Sequence, residues 1–229
     1  KEPEVRIVLH ARVLQESGKK HGQGDKEMKR VLLTSAGLTD SLWTFFFSLV
    51  DKPAENLRVL FIPTAAANGD DEAREGSALC IAELLRMGIA EENIFPYHIN
   101  YIFSDGYDRP YLSNVPPLYR RMTANELLQF DLVLVGGGNA GFLMEELCRT
   151  GLDAPLKEAV EGGLFYLGVS AGSMVAAGNF PEGLHWVANP IFPHSAVGTP
   201  CGALPKDDAI FLTNEQAVWL CGDTAQILK

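Results

Sequence analysis

Three things are scarce in this chain of 229 residues. Positive charge is the first, with 19 lysines and arginines against 29 acidic residues and a formal net charge of -10. That balance argues against nucleic acid as a partner, since neutralising phosphates takes a basic face. The shortage sharpens toward the carboxyl end, where no arginine follows Arg149 and only Lys157, Lys206 and Lys229 carry positive charge. Cysteine is the second. Cys80, Cys148, Cys201 and Cys221 are scattered without ligand-like spacing, which speaks against a zinc site and for incidental thiols in a reducing compartment. Long apolar runs are the third. Leu42-Trp-Thr-Phe-Phe-Phe-Ser-Leu-Val50 is too short and interrupted to span a bilayer, so no membrane partner is expected. The amino end lacks the order of a secretory signal, and the cytoplasm is the expected location.

What is present suits one globular domain. Residues 1–27 are polar and glycine-bearing beyond Gln15 and read as a flexible extension. Residues 28–229 read as a single α/β domain, with Met28 as its start. Val31–Thr34 and Arg58–Pro63 look like buried strands. Thr39 or Asp40 caps a helix carrying Trp43, Phe46, Phe47 and Val50. Asp70 or Asp71 opens an amphipathic helix through Met87, with Ala78, Ile81, Ala82 and Leu85 as its apolar face. Ile94–Ile99 is a weaker strand whose proline suggests an edge.

Tyr101–Met122 reads as a loop, and Thr123–Glu126 starts a short helix. Asp131–Val135 is the cleanest strand. Helices follow over 142–149 and 155–160, and then a strand from Leu164. Such alternation implies an α/β fold with a mostly parallel sheet and helices on both faces. Short antiparallel strands are expected near the carboxyl end, over 184–187, 209–212, 216–220 and 225–228.

The organising stretch is Leu164-Phe-Tyr-Leu-Gly-Val-Ser-Ala-Gly-Ser-Met174. An apolar strand runs into a turn with Ser170 between Gly168 and Gly172, and a helix follows. This is the G-x-S-x-G pattern, in which a strained strand-to-helix turn lifts a serine hydroxyl above the sheet. Alone the pattern is weak, because turns need glycine and serine anyway.

Its partners give it weight. A serine hydroxyl needs a base, and His185 and His194 follow the elbow. His194, stiffened by Pro190 and Pro193, is favoured; His185, between Leu184 and Trp186, is explained by burial. His10 and His21 fall in the extension, and His98 in a strand. Among the acids Asp207, Asp208, Glu215 and Asp223, Glu215 is preferred for orienting the imidazole, since it lies between apolar strand segments. Gly136-Gly-Gly-Asn139 fits neither a dinucleotide fingerprint nor a Walker loop. After a strand, it can aim backbone N–H groups, and Gly138 with Ala171 would form an oxyanion hole capable of roughly 3 kcal/mol per donor.

Together, Val135–Asn139, Gly168–Gly172, Pro193-His194 and Glu215 resemble, in order and rough spacing, the peptidase E family of α-aspartyl dipeptidases, to which cyanophycinases are related. The resemblance runs from about Lys29 to the end. It implies a flavodoxin-like or glutamine-amidotransferase-like α/β fold and a serine exopeptidase acting on dipeptides or short peptides, Asp-X among them, through an acyl-enzyme. By that likeness Ser170 is the nucleophile, His194 the base, Glu215 the acid, Gly138 and Ala171 the oxyanion donors, and Asn139 a substrate contact. No metal or organic cofactor is implied. The partner is a short peptide, and a homodimer is compatible with the likeness. Two other readings stay open: a catalytically silent relative that binds a small ligand or partner, and an α/β-hydrolase esterase, against which the chain order of acid and histidine speaks.

Overall fold

A computed structural model describes residues 28–68, 71–102 and 119–229. The proposed extension over residues 1–27, with His10 and His21, lies outside the described residues, as do Asp70 and most of the 101–122 loop.

The chain forms an α/β fold around a mixed, mostly parallel sheet. Its strands are β1 (Arg30–Thr34), β2 (Val59–Ile62), β3 (Ile94–Pro96), β4 (Leu132–Val135), β5 (Phe165–Val169), β7 (Gly202–Ala203), β9 (Ala217–Cys221) and β10 (Thr224–Leu228), in the order β3-β2-β4-β5-β1-β9-β10-β7. The first five run parallel, and β9, β10 and β7 extend the sheet antiparallel beyond β1. β3, with Pro96, is the edge strand the sequence suggested. A separate pair, β6 (Ile191–Phe192) and β8 (Ile210–Phe211), is parallel.

Alternation along the strands sorts side chains onto two faces. Val31, Leu33, Val133, Val135 and Tyr166 pack on one face, and Leu32, Leu134, Phe165 and Leu167 on the other. Both faces are covered, which is why these strands lack a polar side. The first face meets α4 (Ala124–Leu127), α5 (Ala140–Thr150), α6 (Asp153–Glu161) and α7 (Ala171–Ala176). The second meets α1 (Asp40–Leu49), capped by Thr39, whose hydroxyl accepts the Leu42 N–H. Phe46 of α1 is fully buried edge-on to Phe165, a burial worth about 1.5–3 kcal/mol. α2 (Thr64–Ala67) follows β2. α3 (Asp71–Arg86) completes the set.

Three expectations are corrected. On α3 the core-facing residue is Leu84, with Cys80 and Ile81 half-buried, whereas Ala78, Ala82 and Leu85 are exposed. The reason is that a second stripe of this helix, with Glu72, Gly76, Leu79 and Glu83, lines a cleft instead of the core. Residues 184–187 form turns and bends rather than a strand. The 209–212 segment pairs parallel with β6, apart from the antiparallel extension.

No helix of the described residues is long and apolar enough to cross a membrane.

Candidate active site

The carboxyl ends of β1, β4 and β5 lie side by side, with Thr34 opposite Val169 and Val135 opposite Gly168. Ligands gather at such strand ends in parallel sheets. Ser170 sits there at φ 48° and ψ -103°, immediately before α7. A non-glycine residue at such angles costs of order 1–3 kcal/mol and persists only where its surroundings impose it. Here the Ser170 N–H donates to the Thr34 carbonyl at 3.0 Å, and Ser173 Oγ lies 2.7 Å from the same oxygen and 2.9 Å from Gly168 O. The turn tolerates no side chain at its flanks. A Cβ on Gly168 would lie 2.8 Å from the backbone of Gly172, and one on Gly172 would lie 2.2 Å from the Val135 carbonyl.

The Gly136–Asn139 loop passes beside this turn. A Cβ on Gly137 would stand 3.3 Å from Ser170 Cβ. Gly138, at φ 130°, has no room for one, because it would meet Ala65 O at 2.4 Å. Asn139 donates its N–H to that carbonyl and uses Oδ1 to cap α5 at the Phe142 N–H, 3.0 Å away. Asn139 also lines the cleft. Among the described residues, no backbone acceptor takes the Gly138 N–H. The Ala171 N–H opens a helix, where no intrahelical acceptor exists.

His194 arrives from the irregular carboxyl-terminal segment. Its Nε2 is 3.1 Å from Ser170 Oγ. Its backbone is left-handed at φ 57°, and its N–H donates to the Ser35 hydroxyl at 2.6 Å. The β6–β8 pair straps this chain in place, since Leu212 N–H donates to Phe192 O and Ser195 N–H to Leu212 O, each at 3.0 Å. The strap sets Asn214 beside the imidazole, with Oδ1 3.0 Å from His194 Nδ1. Asn214 Oδ1 also accepts from Ser35 Oγ at 3.2 Å.

Glu215 was the expected orienting acid, and the structure places it elsewhere. Its side chain is 62% exposed and paired with Lys229 at 2.7 Å, and that cation holds its carboxyl below the usual range. Asn214 and Glu215 occupy the turn between β8 and β9, and of the two it is Asn214 that meets His194. His185 is also placed differently: it is exposed, and its Nε2 meets the Pro181 carbonyl at 2.9 Å. Sequence reasoning passed over Asn214 and Ser35. Ser35 follows β1 at the same sheet rim as Ser170, and that position alone is a signal for it.

Ser170, His194 and Ser35 line a cleft of about 640 Å³ together with Gly137, Gly138 and Asn139. Its far wall is α3, which contributes Glu72 and Glu83; among the described residues the lining includes no lysine or arginine. Cys80 is also on this wall, but burial pushes its thiol up to about 11, so it carries little thiolate near neutrality. Among the described residues no group of histidines, cysteines and acids could hold a metal ion.

Comparison with known proteins adds the following. Residues 112–182 match the model of peptidase family S51; this span includes Gly136–Asn139 and Ser170 and ends before His194. Peptidase E of Streptomyces coelicolor is 55% identical over 47 residues, 20% of this chain and 19% of that protein. An uncharacterized peptidase of Pasteurella multocida is 38% identical over 55 residues, 24% of this chain and 27% of that protein. These curated relatives are thus matched over about a quarter of their length or less. In three dimensions, a candidate peptidase E protein from Listeria monocytogenes superposes with a TM-score of 0.62 at 21% identity, covering 88% of this chain and 98% of that one. A peptidase from an acI-B1 actinobacterium gives 0.56 at 18% identity, covering 89% of each. At these identities the likeness is one of fold.

Proposed function

We propose that this chain, whose residues 112–182 match the model of peptidase family S51, is a serine exopeptidase that releases residues from the amino end of dipeptides or short peptides. The observation that carries this reading is the 3.1 Å contact between Ser170 Oγ and His194 Nε2 at the rim of the sheet. With Nδ1–H donated to Asn214 Oδ1, Nε2 is free to take the serine proton as Oγ attacks the scissile carbonyl. The carbonyl oxygen becomes an oxyanion, for which the Gly138 and Ala171 N–H groups are the donors in this reading. Collapse of the tetrahedral species expels the amine, protonated by the imidazolium, and leaves an acyl-serine. Water then attacks the acyl-serine, its proton going to His194, and frees the acid.

The cleft wall bears on the substrate. In this reading Glu72 and Glu83, which line the cleft, meet the cationic free amino terminus of the peptide. Glu83 also meets Arg86 at 3.4 Å, and an acidic wall with no cation among its described lining residues repels a first-residue carboxylate. A neutral or basic first residue therefore suits the site better than aspartate, and the free amino end explains an exopeptidase better than an endopeptidase. In this reading Asn139, which lines the cleft, meets the peptide backbone.

A panel of dipeptides with differing first residues tests the proposal. Turnover of Ala-X or Lys-X above Asp-X is expected, and Ser170→Ala should reduce kcat by at least about 10⁴-fold while the unfolding midpoint stays within a few degrees. Hydrolysis by Ser170→Ala at the wild-type rate would refute it.

A further inference from the structure

His194 is oriented by an amide, and an amide can be presented in two ways. With Asn214 Oδ1 toward Nδ1, the imidazole carries its proton on Nδ1 and offers Nε2 as an acceptor to Ser170. With the NH2 group there instead, Nδ1 must accept and Nε2 carries the proton, so that a donor points at the serine hydroxyl and the base is lost. The two presentations have nearly the same shape. Something must choose between them.

We infer that Ser35 is a positioning residue that makes this choice and so sets the tautomer of His194. Ser35 is fully buried. Its Oγ accepts the His194 backbone N–H at 2.6 Å and lies 3.2 Å from Asn214 Oδ1. Among the described residues these are its hydrogen bonds. With one lone pair taken by His194, the single hydroxyl proton has Asn214 Oδ1 as its acceptor. A flipped amide would bring Ser35 a second donor and strand its proton in the interior, a penalty that buried polar groups avoid. The same hydroxyl thus holds the left-handed backbone of His194 and, through Asn214, decides which ring nitrogen is protonated. A carboxylate at 214 would need no such chooser, because it has no donor to present. The inference rests on His194 acting as the base only for its effect on turnover, not for the tautomer itself.

The test is two-bond ¹H–¹⁵N correlation of the imidazole in uniformly ¹⁵N-labelled protein, read beside kcat/KM on a dipeptide. Wild type is expected to show the Nδ1–H tautomer. Ser35→Ala should shift the ring toward Nε2–H and lower kcat/KM on the order of 10²–10⁴-fold, the scale of a misplaced imidazole proton. Adding Asn214→Asp to Ser35→Ala should return the ring to Nδ1–H and recover at least about tenfold of the loss, which a purely structural defect at Ser35 would not allow. Ser35→Cys, which keeps the volume and weakens the donor, should give a mixture of tautomers if Ser35→Ala does not fold. Unmixed Nδ1–H in Ser35→Ala or Ser35→Cys, or no recovery with Asn214→Asp, would overturn the inference. The expected tautomer pattern without peptide hydrolysis would refute the peptidase and leave the Ser35 inference standing; hydrolysis with an unmoved tautomer would do the reverse.

Discussion

Ser170 and His194 both stand at positive φ, yet the chain brings them there by different means. Ser170 is the joint of a regular β5–α7 unit, gripped by backbone that cannot approach so closely unless Gly168 and Gly172 lack side chains. His194 lies in a stretch with two short paired segments, held by single polar groups: Asn179, Asn214, Ser35 and the β6–β8 strap. Packing fixes one partner and hydrogen bonds fix the other. A steric lock should therefore fail through stability, and a polar one through activity at smaller structural cost.

The sharpest way to break that contrast is Gly172→Ala. Its new Cβ would collide with the Val135 carbonyl, which is backbone and cannot swing aside. A loss of about 3 kcal/mol or more is expected, at the upper end of overpacking effects, seen as a lower urea midpoint at unchanged slope. Next comes Asn179→Ala on the other arm. Asn179 Nδ2 donates to the Ile191 carbonyl and its Oδ1 accepts the Ile191 N–H, each at 2.9 Å. Losing both should cost about 1–3 kcal/mol and lower kcat/KM out of proportion to that, as the strap carrying His194 loosens. Equal loss of folding and activity in both variants would erase the distinction.

The smallest effect is expected at Glu215→Gln. Its pairing with Lys229 is solvent-exposed, and such pairs contribute little. Because Lys229 depresses the Glu215 pKa, any stabilisation is present above the ordinary carboxylate value and is lost as pH falls through the folded one. The pH–rate profiles of variant and wild type should therefore superimpose above about pH 5, with rates within about twofold. A large loss in this variant would return the orienting role to the acid.

The same contrast explains what was legible in the sequence. The strands β1, β2, β4 and β5, and the turn at Ser170, show as apolar runs and glycine spacing because packing imposes a period on them. The segment beyond Gly178 has little period to read, so 184–187 reads as a strand, β6 goes unread and β8 reads as part of an antiparallel ribbon. His194 was legible from its prolines and its place after the elbow. Asn214 was not: choosing between adjacent residues 214 and 215 depends on which side of the chain meets the imidazole, and the β6–β8 strap settles that only in three dimensions. On α3, apolar periodicity misled because one stripe faces a cleft, where apolar and charged residues share a wall.

The central claim is that His194 activates Ser170, and labelling with a serine-directed fluorophosphonate, mapped by peptide mass spectrometry, tests it most directly. Wild type should be modified at Ser170, His194→Ala should react at least about 100-fold more slowly, and Ser170→Ala should not react at that site. Labelling of His194→Ala at the wild-type rate, or an unmodified Ser170 in the wild-type protein, would contradict it.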